Sequence, residues 1–134
     1  MIEREFPASD DSLHELIAFL ESELEKVDCP MKLMMQISVA VEEIFVNIAH
    51  YAYGANGMGQ MVFGLDPSPE GVTIRFTDSG VPFDPLAKKD PDITLSAEER
   101  SIGGLGIYMV KKSMDSVDYE YTDHKNILTL YKKF

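Results

Sequence analysis

Residues 31–53, MKLMMQISVAVEEIFVNIAHYAY, decide the fold. Apolar side chains fall almost all round this stretch: Leu33, Met34, Ile37, Val39, Ala40, Val41, Ile44, Phe45, Ile48 and Ala49. The pattern predicts a mostly buried helix, so each polar residue on it needs a reason to be there. Pro30 suits the first turn of this helix, and Gly54, Gly57 and Gly59 predict a turn beyond it. Glu42, Glu43, Asn47 and His50 interrupt residues 37–52, the longest apolar-rich run, which argues against a bilayer span.

Working outward, residues 2–6 alternate apolar and charged, which predicts a short strand ended by Pro7. Leu13, Leu16, Ile17, Leu20 and Leu24 recur at helical spacing, so a first helix is expected over about residues 10–27. Downstream, residues 60–65 and 72–77 read as an antiparallel hairpin joined by the turn-rich Asp66-Pro67-Ser68-Pro69-Glu70-Gly71. Residues 81–101 have little apolar periodicity, and a loop that long in a small domain is usually functional. Gly103-Gly104-Leu105-Gly106 opens a third helix through about Met114. Residues 116–122 and 127–134 form a second hairpin around Asp123-His124-Lys125-Asn126. Helices and hairpins segregate instead of alternating regularly. The expected architecture over residues 1–134 is one α+β domain, a two-layer α/β sandwich with helices on one face of a mixed, mainly antiparallel sheet.

Composition narrows the chemistry. Twelve basic against 23 acidic side chains give a net charge of −11. A surface that acidic repels phosphate backbones, so nucleic acid is not an expected partner. An anionic ligand would have to be held by backbone N–H groups, a metal or a local basic patch. The single cysteine, Cys29, excludes an internal disulfide. The first residues carry no basic region followed by an apolar stretch of signal length, and a cytoplasmic protein is expected.

Three constellations could carry chemistry. Glu43, Asn47 and His50 are spaced by four and three residues, within about 60° of one another on a helix with 3.6 residues per turn. On an ordinary amphipathic helix they would form a solvent-facing stripe. With apolar flanks they are expected to line a cleft, although His50 could simply hydrogen-bond at the helix end. Asp78-Ser79-Gly80-Val81-Pro82-Phe83 follows a strand; it reads either as a turn or as a carboxylate placed to accept from a ligand amino group. The glycines at 103, 104 and 106 precede or open a helix and would expose N–H groups to phosphate, though tight packing produces the same pattern. A P-loop is excluded, because no Gly-Lys-Ser/Thr occurs.

Taken in order, Glu-x-x-x-Asn, Asp-x-Gly-x-Pro-Phe, a long loop and Gly-Gly-x-Gly resemble the GHKL ATPases, the gyrase, histidine-kinase and MutL group with the Bergerat ATP-binding fold. The resemblance spans about residues 36–114. The stretch Glu43 to His50 and Glu99-Arg100-Ser101-Ile102-Gly103-Gly104 are most similar to the RsbW/SpoIIAB-type anti-sigma factor serine/threonine kinases. The resemblance implies that Asn47 coordinates Mg²⁺ bridging the phosphates of ATP and that Glu43 is the general base. It implies that Asp78 receives the adenine amino group, Gly80 lets the ring approach, and Val81, Pro82 and Phe83 wall the pocket. Residues 84–101 would form a lid, with Arg100 near the terminal phosphate, and Gly103, Gly104, Leu105 and Gly106 would cradle the phosphates. His50 is counted with the nucleotide-lining residues. Val46 stands where the sporulation-type kinase carries threonine, which removes an accessory hydroxyl contact. The implied function is a Mg-ATP-dependent anti-sigma factor kinase. It would phosphorylate a STAS-type anti-anti-sigma partner and sequester a sigma factor. The alternative is a nucleotide-gated binding module with little phosphotransfer. A homodimer paired through the strand at residues 2–6 is compatible with this reading.

Overall fold

The computed structural model describes residues 1–52, 59–87 and 105–134. Five strands, β1 (Ile2–Pro7), β2 (Gln60–Ser68), β3 (Gly71–Asp78), β4 (Ser116–Thr122) and β5 (Lys125–Lys133), form one sheet in the order β1-β2-β3-β5-β4. All four pairings are antiparallel, so the expected mixed sheet is corrected to a purely antiparallel one among the described residues. Three helices, α1 (Leu13–Glu25), α2 (Met31–Asn47) and α3 (Leu105–Ser113), complete the α+β two-layer arrangement.

Strand alternation explains why the helices pack against this sheet. On β2 and β3, Met61, Phe63, Leu65, Val72, Ile74 and Phe76 are all fully buried. On β5 the same face carries Asn126, Leu128 and Leu130. Residues two apart share a face, and the helices cover this one. Phe63 sits at the centre, with its ring 5.3 Å from Phe76 and 6.1 Å from Phe19. Each such side chain contributes about 1.5–3 kcal/mol by leaving water.

The first helical region begins as a 3-10 turn over Asp10–Ser12 and ends two residues short of the expected Val27. Both hairpin strands run further than the sequence indicates, because β2 and β3 stay paired to Ser68 and Gly71. Only Pro69 and Glu70 are left to turn. The second hairpin closes on Asp123 and His124, both with positive φ (52° and 62°), and pairs Thr122 with Lys125. This is the backbone of a two-residue type I′ turn, whose twist matches that of the strands.

Helix α2 departs from expectation in two ways. It is not buried all round: Met34, Ile37, Val41, Ile44 and Phe45 face the core, but Met31, Met35 and Val39 are 68%, 64% and 66% exposed. Its α-helical hydrogen bonding also stops at Asn47, and Ile48–Ala52 continue as a π-helical turn. Widened turns of this kind concentrate at functional sites. Met31–His50 is long and apolar enough to cross a membrane by length and composition alone, but one side of it packs in the domain core, where Met34, Ile37, Val41, Ile44 and Phe45 are buried.

Candidate functional site

Helix α2 carries Glu43 and Asn47 one turn apart and half-buried. The Asn47 amide donates to the Glu43 carbonyl at 2.7 Å and to Glu43 Oε1 at 3.0 Å. Both N–H groups are thereby committed to Glu43, which leaves the amide oxygen as the atom Asn47 can present to a ligand. Against the same carboxylate lies Gly106, in the first turn of α3. A Cβ at Gly106 would overlap Glu43 Oε1 and Cδ. The absent side chain is what lets the N-terminal end of α3 approach Glu43, where the helix dipole favours negative charge. Glu43 and Gly106 also border a cleft of about 540 Å³ between α2 and α3, lined otherwise by residues such as Met35, Val39 and Met109.

The second constellation lies at the end of β3. Asp78 is 3% exposed, and an isolated carboxylate buried this deeply would be costly. Its Oδ1 accepts the Gly80 N–H at 2.9 Å and the Asn126 amide at 3.0 Å. Asn126 also donates to the Val81 carbonyl at 3.0 Å and accepts the Phe83 N–H at 3.0 Å, so the chain from Gly80 to Phe83 is clasped to β5. Asp78, Asn126, Phe83, Phe76 and Tyr119 line a small hollow together with Ile48. Ile48 follows Asn47 directly, so the end of α2 borders the Asp78 region. The hollow measures about 10 Å³, room for roughly one water, and a purine would have to open it. Burial, with the Asp84 and Asp78 charges adding to it, pushes the Tyr119 hydroxyl above the usual phenol range; the Phe83 backbone partly offsets this.

The other expected site residues fall in different places. The His50 ring binds the Asp10 carboxylate at 3.1 Å at the protein surface, an arrangement that ties the π-helical turn after α2 to the 3-10 turn before α1. Val81 and Pro82 are exposed and Phe83 is half-buried. Leu105 is the first residue of α3. Of the expected lid, Asp84 to Ala87 are described, with a 3-10 turn over Pro85–Ala87 whose Leu86 N–H binds Asp84 Oδ1 at 2.8 Å. Arg100, Gly103, Gly104 and the rest of the lid lie outside the described residues. Asn126 and Tyr119 are the residues the sequence reading missed. Asn126 reads as part of a turn, although period-two alternation back from Leu130 and Leu128 would put it on the core face.

Among the described residues, no group of three or more His, Cys, Asp or Glu is placed to hold a metal ion. A single amide oxygen suits Mg²⁺ nevertheless, because that ion keeps several waters and takes substrate phosphate oxygens as its other ligands. The donor set therefore fits a metal that arrives with a polyphosphate.

Helices on one face of an antiparallel sheet, with a Glu–Asn pair on the core helix and a buried Asp at a strand end, define a nucleotide-binding ATPase domain of the histidine-kinase kind. The chain belongs to the histidine kinase-like ATPase domain family, whose model matches residues 6–132. It is similar to the serine/threonine-protein kinase BtrW of Bordetella bronchiseptica, with 23% identity over 99 residues, 74% of this chain and 70% of that protein. It also resembles the serine-protein kinase RsbW of Listeria monocytogenes, with 25% identity over 96 residues covering 69% of this chain. The aligned part spans 61% of the length of that RsbW.

Among solved structures, the fold matches the RsbU and RsbW domains of Rv1364c from Mycobacterium tuberculosis, with a TM-score of 0.65 and 13% identity over 98% of this chain and 32% of that one. It also matches the SiaB–SiaC complex from Pseudomonas aeruginosa, with a TM-score of 0.59 and 14% identity, covering 100% of this chain and 90% of that one. The solved structures show the fold, while BtrW, RsbW and the family match support a kinase-like ATPase.

Proposed function

We propose that the protein is a Mg-ATP-dependent serine/threonine kinase that acts on a STAS-type anti-anti-sigma protein and, in the same complex cycle, sequesters a sigma factor. The observation that carries this reading is Glu43, whose carboxylate is held by Asn47 and packed on Gly106. A module that only binds nucleotide has no need of a base there. Asp78 receives the adenine amino group, and Asn47 offers its amide oxygen to Mg²⁺. The metal offsets phosphate charge in a chain of net charge −11.

Phosphoryl transfer then needs positioning and one proton acceptor. The partner's hydroxyl oxygen bonds to the γ-phosphorus as the bond to the β,γ-bridging oxygen breaks. ADP leaves, and the hydroxyl proton passes to Glu43. The names of BtrW and RsbW, both protein kinases, support the reaction, and the SiaB–SiaC complex supports a protein partner.

The test uses purified protein, radiolabelled ATP with Mg²⁺, and candidate STAS-domain proteins of the same genome. A labelled seryl or threonyl phosphoprotein is expected. Glu43→Gln should lower transfer by about 10²–10⁴-fold while changing ATP affinity only a few-fold. Transfer that survives this substitution removes Glu43 as base. Absence of transfer by the wild type, with ATP bound and partner regulation intact, would leave a nucleotide-gated module instead.

A further inference from the structure

We infer that Asn126 is a positioning residue that gives the Asp78 pocket its preference for adenine, acting through Asp78 and the 80–83 backbone without touching the nucleotide. The inference rests on the adenine-binding reading above and extends it to a residue that reading does not contain. Asp78 and Asn126 are direct cross-strand partners at the last paired rung of β3, the central strand of the sheet, and its neighbour β5. Asn126 is 4% exposed, so its amide has to find its partners within the protein.

It does so completely. A carboxamide offers two hydrogens and two lone pairs. One hydrogen goes to Asp78 Oδ1 at 3.0 Å, the other to the Val81 carbonyl at 3.0 Å, with the Gly80 carbonyl a longer 3.4 Å away. The oxygen accepts the Phe83 N–H at 3.0 Å and the Tyr119 hydroxyl. Phe83 N–H can only donate, so it fixes which end of the amide is oxygen and points the NH₂ group at Asp78. Tyr119 reinforces this: its raised hydroxyl pKa, caused chiefly by burial, keeps the proton it donates.

With every site used, Asn126 has nothing left for a ligand. What it can do is hold the Asp78 carboxylate at one rotation and lock the Gly80–Phe83 segment beside it. Both are needed to tell an exocyclic amino group from a carbonyl. A carboxylate free to rotate or shift would accept from water or tolerate the wrong base edge. Selectivity of this kind depends on polar groups held where the wrong partner leaves them unpaired.

The experiment measures ATP and inosine triphosphate (which carries oxygen in place of the adenine amino group) by calorimetry on the full chain with Mg²⁺. Wild type should prefer ATP; lack of that preference overturns the adenine reading itself, and this inference with it. Given the preference, Asn126→Ala should reduce it at least ten-fold, chiefly by weakening ATP. Asn126→Leu keeps the side chain's approximate volume but removes both donors and the acceptor. It serves if the alanine variant does not fold, and should reduce the preference to a similar extent. A preference kept within two-fold in the folded variant, whether both nucleotides weaken equally or neither does, overturns the positioning role and leaves Asn126 as a purely structural brace.

Discussion

Glu43, Asn47 and Gly106 form the smallest unit on which the proposed function rests, and Gly106 gives it a sharp test. In a helix alanine is more favourable than glycine by about 1 kcal/mol, so Gly106→Ala should stabilise α3 considered alone. In this fold the new methyl would occupy the space of the Glu43 carboxylate, the flexible end of a side chain that can swing aside. Stability should therefore change little while Glu43 leaves Asn47. We expect a melting temperature within about 3 °C of wild type, less than 1 kcal/mol for a domain this size, and a loss of phosphotransfer of ten-fold or more. Melting curves and turnover on the same preparations check it; activity falling only in step with stability would contradict the close-packing account. At this scale the sequence was legible where one element carries the residues. Glu43 and Asn47 show up by helical spacing. The packing of Gly106 on Glu43 and the bond from Asn126 to Asp78 join residues 63 and 48 apart in sequence, and no local periodicity encodes such contacts.

Elements were legible in proportion to how strongly one periodicity governs them. The apolar run of α2 indicates a helix whichever way it faces, but it cannot say that Met31, Met35 and Val39 remain outside, since hydrophobic residues on the surface break no local rule. The Asp66–Gly71 linker contains two prolines and a glycine and reads as loop, yet an antiparallel pair continues through most of it. Strand pairing there outweighs turn propensity, with Pro67 still at a strand position. The β4–β5 turn shows the opposite case, in which local chemistry is strained and the hairpin holds it. His124 sits at φ 62° without the freedom of glycine. His124→Gly should stabilise the domain by about 0.5–1 kcal/mol, as glycine adopts that conformation without steric cost. Chemical denaturation should register the gain as a higher midpoint at unchanged slope; a lower midpoint would mean that the histidine side chain makes a contact outweighing its backbone strain.

For the whole molecule, hairpins were readable but the order β1-β2-β3-β5-β4 was not. It depends on β1 reaching β2 across both helices and on β3 meeting β5 across the lid and α3, pairings between distant segments that only the folded sheet specifies. That order puts Asp78 between two neighbouring strands and brings the end of α2 to the same region through Ile48. A ligand touching both should therefore stabilise the domain as one unit. At one hundred times its dissociation constant, Mg-ATP would add about 2.7 kcal/mol, several degrees of melting temperature for a chain of 134 residues. Adenosine, which in the proposed reading would engage only the Asp78 end, should give a smaller shift that does not depend on Mg²⁺. Asn47→Ala should abolish the Mg²⁺-dependent part of the ATP shift and leave the adenosine shift intact, because in the proposed reading the Asn47 amide oxygen would hold the metal and would not meet the adenine. Thermal melts of both proteins with adenosine, ATP and Mg-ATP separate these contributions. If the substitution reduced all three shifts alike, Asn47 would be supporting the pocket as a whole and the metal would have to be held elsewhere.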